Sequence, residues 1–431
     1  MKDKKIIRIG LAGFGTVGSG LATIIAENRD WIAHRIGKEL VIPSILVRDL
    51  CKKRDNIPHP ETVFTDDPLA FVDNPDIDIF VELIGGTTVA RNLILSALDH
   101  GRPVVTANKA LLAEHGAELF IRAAEKGVGL YYEASVAGGI PIVQTLKESL
   151  AGNRIRTLTG ILNGTANYIL TEMTSRGISF EQALTQSQEK GYAEADPTLD
   201  ISGMDAAHKL VLLIRLAHGQ DFPLSKLSVQ GIDRVQAEDI RLASEFGYRI
   251  KLLGQVRERS GHLQAGVFPA LLRADHMLAK VDGPFNSILL EGNAVGPIML
   301  YGQGAGDLPT GSAVLADIMA LARDGSIPNN TGFVDPVLPP VKVLDLELTT
   351  SRHYFRLGVE DKPGVLSAVA GVMADKDISI AQVVQRQDPA RNDASVVFIT
   401  HAAQMRQVGQ ALDEIDRMPF ITQPSVHYRI L

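Results

Sequence analysis

The chain has 431 residues, 45% of them hydrophobic and 22% charged, and its formal net charge is −7 at pH 7. This length exceeds what one hydrophobic core usually supports and predicts two to four domains. The acidic balance argues against nucleic-acid binding and against a basic membrane-binding surface. The single cysteine, Cys51, excludes an internal disulfide framework, and no apolar run reaches the length of a membrane span. We therefore expect a cytoplasmic protein.

A glycine-rich motif follows the first predicted strand. Residues 6–12 are a short apolar run, and GFGTVG comes directly after it, before a helix predicted over 19–28. Glycine at these positions permits a tight turn, close approach to a pyrophosphate and close packing of the helix, whose N-terminus can bind phosphate. The alternative is a glycine-rich turn without a ligand. The order strand, motif, helix predicts a dinucleotide site at Gly13, Phe14, Gly15, Thr16, Val17 and Gly18.

The end of the second predicted strand, 40–47, bears on which dinucleotide binds. NAD sites usually place a carboxylate here, whereas the 2′-phosphate of NADP needs cations. Arg48 comes first in this chain and three more cations follow at 52–54. The sequence therefore favours NADP, with Arg48 as the ligand of the 2′-phosphate. Asp49 leaves NAD open, and a solvated basic loop is the third interpretation.

Polar residues also follow the next predicted strands. Thr87 and Lys109 fall beyond two of them, where an open parallel sheet places its ligands. Lys109 is thus a candidate for contact with a reacting oxygen beside a nicotinamide. A later strand ends at Glu133, before a turn of small residues whose carbonyl groups are the kind of oxygen ligand that hard cations prefer. A hinge between domains would explain the same residues.

The segment 191–209 combines several acidic residues with an amine. The glycines and proline at the start of this segment predict a loop, and a helix is predicted from about Ser202. Asp205 and Lys209 are four residues apart and therefore lie on one helix face. A carboxylate and an ammonium in this arrangement can bind a zwitterion and move a proton. A solvated salt bridge beside an acidic loop is the alternative.

A proline-rich connection over 326–350 precedes a self-contained unit at 351–431. Its predicted strands and helices follow the order βαββαβ, which is ferredoxin-like. The sequence DKPGVL after its first strand and DISI at its second resemble an ACT domain, a module that often binds amino acids. The alternative is a dimerisation module that binds nothing.

Six motifs in one order resemble homoserine dehydrogenase over roughly residues 5–325: GFGTVG, TANK, EASVAGGIP, GILNGTANYIL, GYAEADPTLDISGMDAAHK and GQGAGDLPTG. The resemblance implies reduction of L-aspartate 4-semialdehyde to L-homoserine with a nicotinamide cofactor, on the route to threonine and methionine. The fold expected is α/β. It comprises a Rossmann dinucleotide-binding domain at 1–140, an α+β substrate and dimerisation domain at 141–325 whose last helix returns to the nucleotide domain, a linker at 326–350 and a ferredoxin-like ACT domain at 351–431.

The resemblance also implies roles for individual positions. Lys209 falls at the family's proton donor, and Lys109 falls at the second active-site lysine, against the nicotinamide. Substrate contacts are expected at Glu194, which would bind the amino group, and at Asp205 and Asp200. Further cofactor contacts are expected at Thr87, Lys109, Gly191 and Gly306. A monovalent cation, Na⁺, is expected at Glu133 and at the main chain of Val136, Gly138 and Ile140.

Three classes of function fit these features. The first is a homoserine dehydrogenase whose C-terminal module binds an amino-acid effector, with threonine favoured. The second is a different Rossmann-type amino-acid dehydrogenase, and the third is a non-catalytic sensor on an enzyme scaffold. The presence of both Lys109 and Lys209 argues against the sensor. We expect a homo-dimer or homo-tetramer that acts on a small-molecule substrate, with no nucleic-acid or membrane partner.

Overall fold

The structure is a computed structural model that describes residues 4–54, 57–326, 330–388 and 393–431. The chain folds into two compact units, each formed by three segments. Unit 1 comprises the first 164 residues together with 205–227 and 284–341, and unit 2 comprises 165–204, 228–283 and 342–431. The predicted linker at 326–350 contributes to both units, and its residues 327–329 lie outside the described part of the chain. The predicted domain boundaries stay predictions.

Unit 1 contains a six-stranded sheet with the order β3-β2-β1-β4-β5-β6. Its strands are β1 (Ile6–Ala12), β2 (Glu39–Leu46), β3 (Val63–Thr65), β4 (Ile79–Glu82), β5 (Val104–Thr106) and β6 (Leu130–Tyr131). Its helices are α1 (Thr16–Glu27), α2 (Arg29–Ile36), α3 (Pro68–Asp73), α4 (Val89–Asp99) and α5 (Lys109–Glu125). Every neighbouring pair of strands is parallel. The strand order reverses between β1 and β4, as in a doubly wound nucleotide-binding fold, so the predicted Rossmann architecture is confirmed.

The middle of the chain contributes elements to both units. Its helices are α6 (Ile142–Gln144), α7 (Gly164–Arg176), α8 (Phe180–Glu189), α9 (Thr198–Ile201), α10 (Met204–His218), α11 (Ala237–Glu245) and α12 (Asp307–Asp324). Its strands are β7 (Ile155–Ile161), β8 (Ser228–Val229), β9 (Tyr248–Arg259), β10 (His262–Arg273), β11 (Phe285–Gly292) and β12 (Gly296–Gln303). In unit 1, β7, β11 and β12 pair antiparallel.

Helix α12 packs against α1 within unit 1. A Cβ atom added at Gly20 would lie 2.4 Å from the carbonyl oxygen of Asp307, so the two helices require glycine at this crossing. The helix begins at Asp307. The proline at position 309 does not prevent this, because the first turn of a helix has no intrahelical acceptor for its N–H groups.

The C-terminal part of unit 2 has the predicted βαββαβ order. Its elements are β13 (Thr350–Glu360), α13 (Val365–Asp375), β14 (Ile380–Asp388), β15 (Asp393–Thr400), a short β16 (Ala403–Gln404), α14 (Met405–Ile415) and β17 (Ile421–Ile430). It is not self-contained, because β17 also pairs with β10 of the same unit through Ala270–Arg429 and Leu271–Ile430. This pairing covers an edge that would otherwise be exposed. In the described ranges, no helix is long and apolar enough to cross a membrane.

Candidate active site

The glycine motif forms the turn between β1 and α1. Gly13 has φ +103°, and a Cβ atom there would lie 2.6 Å from the carbonyl oxygen of Leu83. A Cβ atom on Gly18 would lie 2.4 Å from the carbonyl oxygen of Gly13. None of the described residues lies within 4 Å of a Cβ atom built on Gly15, which leaves an open approach to the N-terminus of α1. The turn, completed by Phe14, Thr16 and Val17, therefore fits a pyrophosphate.

Arg48 and Asp49, the two candidates for contact with the ribose end of the nucleotide, lie in the loop after β2. Asp49 Oδ1 accepts a hydrogen bond from the backbone N–H of Cys51 at 2.8 Å, so its carboxylate stabilises the turn. Arg54 donates to the carbonyl oxygen of Asp49 and lies over the ring of Phe64. Arg48 is exposed. Asp49 is exposed as well, and which of the two side chains meets a nucleotide stays a prediction.

A buried carboxyl group that no sequence motif predicts, Glu82, organises the ends of β4 and β5. Its Oε1 atom accepts hydrogen bonds from the N–H groups of Ile84 and Gly85, both at 2.9 Å. Its Oε2 atom accepts one from the Thr106 hydroxyl at 2.6 Å. Burial raises the pKa of Glu82 above its ordinary value. The signal available in the sequence was a lone acidic residue at the end of an apolar strand.

Asn108 continues this network to the first catalytic candidate. Its N–H group donates to the Thr106 hydroxyl at 3.0 Å, and its side-chain amide donates to the carbonyl oxygen of Gly86 at 2.7 Å. The same side chain caps α5 by accepting from Leu111. Lys109 is the first residue of that helix, so the network fixes its backbone. Thr87 is half-buried and lies in the loop between β4 and α4. Its cofactor role stays a prediction.

Two lysines flank the carboxylate of Asp205 in unit 1. Lys209 Nζ donates to Asp205 Oδ2 at 2.7 Å, one helical turn along α10 as the spacing predicts. Lys109 Nζ lies 3.2 Å from Asp205 Oδ1. Asp205 and Lys209 are each 7% exposed, whereas the Lys109 side chain is 39% exposed. The Asp205 carboxylate therefore contacts two ammonium groups, the buried one of Lys209 and the more accessible one of Lys109.

The charge of Asp205 is fixed by its partners. Burial alone would raise its pKa, but Lys209 and Lys109, with a hydrogen bond from Asn163, hold that pKa well below its ordinary value. Asn163 Nδ2 donates to Asp205 Oδ2 at 2.7 Å and restrains the plane of the carboxylate. The ionised carboxylate can therefore keep two ammonium groups in defined places. Such an arrangement can stabilise a developing negative charge and supply a proton.

The turn after β6 contains the residues of the predicted cation site. The carboxylate of Glu133 is buried and accepts hydrogen bonds from the N–H groups of Val143 at 2.8 Å and Gln144 at 2.7 Å. Ala137 and Gly138 have φ of 57° and 56°, so the chain turns sharply here, outside any strand. No group of three or more His, Cys, Asp or Glu in the described ranges could hold a metal ion. The cation-binding roles of Glu133, Val136, Gly138 and Ile140 stay predictions.

A second buried carboxyl group, Asp317 on α12, lies beside Glu133. Its Oδ2 atom accepts a hydrogen bond from the N–H group of Glu133 at 2.8 Å. Burial raises the pKa of Glu133 to about 7. Burial and the neighbouring Glu133 likewise raise the pKa of Asp317. Both groups therefore favour their neutral forms in the folded chain.

These raised pKa values predict that the free energy of unfolding falls as pH increases from about 4 to neutrality. In the unfolded chain both carboxyl groups ionise near their ordinary pKa of about 4, whereas folded Glu133 stays protonated until about pH 7. The stabilisation is thus complete below pH 4 and is lost as pH rises through the folded pKa. Asp317→Asn should reduce this slope in urea unfolding measured between pH 5 and 8. Glu27→Gln, which removes an exposed carboxyl of unit 1, is the control. An equal slope of the free energy of unfolding against pH in the unaltered chain and in Asp317→Asn would contradict the prediction.

The acidic loop before α10 belongs to unit 2. Glu194 is exposed, and its carbonyl oxygen accepts a hydrogen bond from the side chain of Gln188 at 3.2 Å. Asp200 is half-buried in α9, and Gly191 follows α8 with φ +74°. The substrate roles of Glu194 and Asp200 and the cofactor role of Gly191 stay predictions. So does the cofactor role of Gly306, the N-cap of α12 in unit 1.

A cavity of about 350 Å³ lies at the turn between β13 and α13 in unit 2. The two carboxylate oxygens of Asp361 accept hydrogen bonds from the side chains of Gln385 and Gln387. Gly364, with φ +94°, is the N-cap of α13 and has no side chain to cap the helix. A carboxylate beside uncapped N–H groups complements the ammonium and the carboxylate of an amino acid.

A buried ion pair joins β13 to α11 within unit 2. Arg356 Nε lies 2.5 Å from Asp239 Oδ1, and Arg356 Nη2 donates to Gln236 Oε1 at 2.7 Å. Both charged side chains are almost completely buried. Removing Arg356 would leave the buried carboxylate of Asp239 uncompensated, which is strongly destabilising. The ACT-like strands are thereby fixed to the helix that precedes β9.

The fold and these side chains define a nicotinamide-dependent oxidoreductase with a C-terminal ACT module. Family models described as the NAD-binding domain of homoserine dehydrogenase, homoserine dehydrogenase and the ACT domain match residues 13–133, 141–319 and 353–420. The homoserine dehydrogenase of Neisseria gonorrhoeae is 38% identical over 99% of both chains. The chain belongs to the homoserine dehydrogenase family, which confirms the resemblance seen in the sequence.

Solved structures agree with this assignment. A homoserine dehydrogenase from Thiobacillus denitrificans is 40% identical, with a TM-score of 0.93 over 100% of this chain and 99% of that one. A hyperthermophilic archaeal homoserine dehydrogenase in complex with NADPH is 30% identical, with a TM-score of 0.62 over 73% of this chain and 97% of that one. The three-part organisation, with its nucleotide-binding, catalytic and ACT regions, is therefore that of this family.

Proposed function

We propose that this enzyme reduces L-aspartate 4-semialdehyde to L-homoserine with NADPH. The observation that carries the proposal is the group formed by Lys109, Asp205 and Lys209 in a member of the homoserine dehydrogenase family. An aldehyde reductase needs positive charge and a proton at the carbonyl oxygen, and this group provides both. The direct test is oxidation of NADPH, followed by absorbance, on addition of aspartate semialdehyde. A lack of turnover with this substrate would contradict the proposal.

The chemistry assigns a separate task to each lysine. When bound, the reduced nicotinamide supplies a hydride to the aldehyde carbon. The substrate oxygen then carries negative charge and takes up a proton. Lys209 is the proposed donor of that proton, and Lys109 stabilises the developing charge. Asp205 keeps both ammonium groups in place, since its carboxylate remains ionised.

Binding of the substrate's own charges is assigned to the acidic loop. Glu194 is the proposed ligand of the substrate ammonium, an assignment that follows the resemblance, and Asp200 is proposed as a further substrate contact. Glu194→Gln should therefore raise KM for aspartate semialdehyde more than it lowers kcat.

A monovalent cation, with Na⁺ as the candidate, is proposed at Glu133 and the main chain of Val136, Gly138 and Ile140. Activity with sodium replaced by choline would test the cation.

The cofactor preference rests on Arg48. Arg48→Ala should raise KM for NADPH by roughly 10- to 100-fold, the range expected for loss of a charge-assisted hydrogen bond. KM for NADH, which has no 2′-phosphate, should change little. Lys53→Ala removes another exposed cation of the same loop and is the matched control. Equal shifts for both nucleotides, or an equal effect of Lys53→Ala, would show that Arg48 is not the discriminating residue.

The ACT region is proposed to bind an amino-acid effector at the cavity beside Asp361, with threonine as the candidate. The pairing of a carboxylate with the uncapped N-terminus of α13 supports an α-amino acid as the ligand class. A homo-dimer or homo-tetramer is also proposed, because ACT-like sheets tend to pair with a second copy. Light scattering of the purified protein would determine its size.

A further inference from the structure

Asn286 lies in β11, and its side chain is buried in unit 1. In the antiparallel pairing with β7, Ser287 is opposite Ile161. Asn286 is therefore opposite Leu162, the first residue after β7 ends. Its side-chain Nδ2 donates a hydrogen bond to the carbonyl oxygen of Leu162 at 3.1 Å, and the residue is 0% exposed.

The same carbonyl oxygen is an acceptor for Lys209. Lys209 Nζ donates to Leu162 O at 2.7 Å and to Asp205 Oδ2 at 2.7 Å. A carbonyl oxygen has two lone pairs, so that of Leu162 can accept from both Lys209 and Asn286. Because Leu162 lies beyond the end of β7, its carbonyl is oriented by this side-chain amide rather than by a strand partner.

The amide oxygen of Asn286, Oδ1, indicates why asparagine occupies this position. Its Oδ1 atom is buried and accepts no hydrogen bond from the described residues. Turning the amide over would bring Oδ1 against the Leu162 oxygen, two acceptors facing each other, so the Nδ2 contact sets the orientation. A buried acceptor without a partner costs free energy, and a leucine of similar size would avoid that cost. The donor at Nδ2, rather than packing, is therefore what asparagine supplies.

The surroundings leave this amide no room to move. A Cβ atom on Gly304 would lie 2.1 Å from Asn286 Cγ. A Cβ atom on Gly138 would in turn lie 2.6 Å from the backbone of Gly304. The backbone at Gly304 therefore packs closely against the Asn286 amide. An amide held in this way can keep the Leu162 carbonyl directed at Lys209.

We propose that Asn286 is a positioning residue for Lys209, acting through the Leu162 carbonyl. The inference rests on the proposed role of Lys209 as proton donor. The proton moves from Lys209 Nζ to the substrate oxygen as the hydride adds to the carbon, and solvent then reprotonates the amine. A displaced ammonium slows this step without weakening cofactor binding. Displacement by about 1 Å can cost up to roughly 100-fold in rate.

Asn286→Leu keeps the volume of the side chain and removes its donor. It should lower kcat by roughly 10- to 100-fold, leave KM for NADPH unchanged and increase the solvent deuterium isotope effect on kcat. Ser287→Ala is the matched control, because it removes a side-chain hydrogen bond to the carbonyl oxygen of Leu300 from the adjacent residue of the same strand. Its kcat and isotope effect should equal those of the unaltered enzyme.

Asn286→Asp provides a second test in case the leucine variant does not fold. The protonated carboxyl group can donate to the Leu162 oxygen, whereas the carboxylate cannot. Relative to the unaltered enzyme, kcat of Asn286→Asp should therefore recover as pH falls. An unchanged pH profile, full kcat in Asn286→Leu, or an equal loss in Ser287→Ala would overturn the role of Asn286. Lack of turnover in the unaltered enzyme would instead contradict the proposed function, and the inference would fail with it.

Discussion

Lys209→Ala should lower kcat for the reduction of aspartate semialdehyde by roughly 10²–10⁴, the range over which a positioned proton donor contributes. The structure gives the reason, because Lys209 is buried and fixed by the carboxylate of Asp205 and the carbonyl of Leu162. The fold should survive, since Asp205 keeps Lys109 and Asn163 as partners. Steady-state kinetics and a thermal unfolding curve measure the two effects separately.

Lys209→Arg separates proton transfer from charge. Arginine keeps the positive charge, but its guanidinium does not give up a proton at ordinary pH. If Lys209 is the donor, the arginine variant should be nearly as impaired as the alanine variant. Recovery of most activity in Lys209→Arg would show that only charge is needed. Full kcat in Lys209→Ala would contradict the assignment altogether.

The parts of this site that follow from local pattern were predictable from the sequence. The spacing of Asp205 and Lys209 places them on one helix face, and the structure has them in contact at 2.7 Å. The glycine motif between β1 and α1 occurs in the predicted turn. The residues alone place Lys109 beyond a strand end, and its active-site role was expected only from the resemblance to the family. Its approach to Asp205 depends on the packing of α5 and α10, which no local pattern specifies.

Residues that act through tertiary contacts were not identified in advance. Glu82 was one acidic residue at the end of a strand, and its three hydrogen bonds arise from the loops that surround it. Asp317 was part of a helix pattern, and only the structure brings it to the Glu133 backbone. The C-terminal region was predicted to be self-contained, but β17 pairs with β10, because edge pairing joins segments far apart in sequence.

The pairing of β17 with β10 determines how regulation by the ACT region has to be tested. Removing residues 342–431 would uncover the edge of β10 and leave the buried Asp239 without Arg356. Loss of activity in such a truncation would then reflect damage to unit 2 rather than loss of an effector site. A substitution inside the cavity avoids this difficulty. Asp361 is suitable, because its partners Gln385 and Gln387 are exposed side chains rather than core residues.

We expect threonine at millimolar concentration to inhibit the unaltered enzyme and Asp361→Ala to need roughly 10- to 100-fold more, the range for loss of a hydrogen bond to a charged group. The Asp361 carboxylate would bind the threonine ammonium, and the N-terminus of α13 would bind its carboxylate. Inhibition further requires that threonine bind one conformation of the enzyme better than another. Without threonine, Asp361→Ala should turn over at the unaltered rate. Asp375→Ala, at the exposed far end of α13, controls for loss of an acidic residue in this region and should be inhibited normally. Equal inhibition of Asp361→Ala and the unaltered enzyme would place the effector elsewhere, and an unaltered enzyme insensitive to threonine would exclude threonine as the effector.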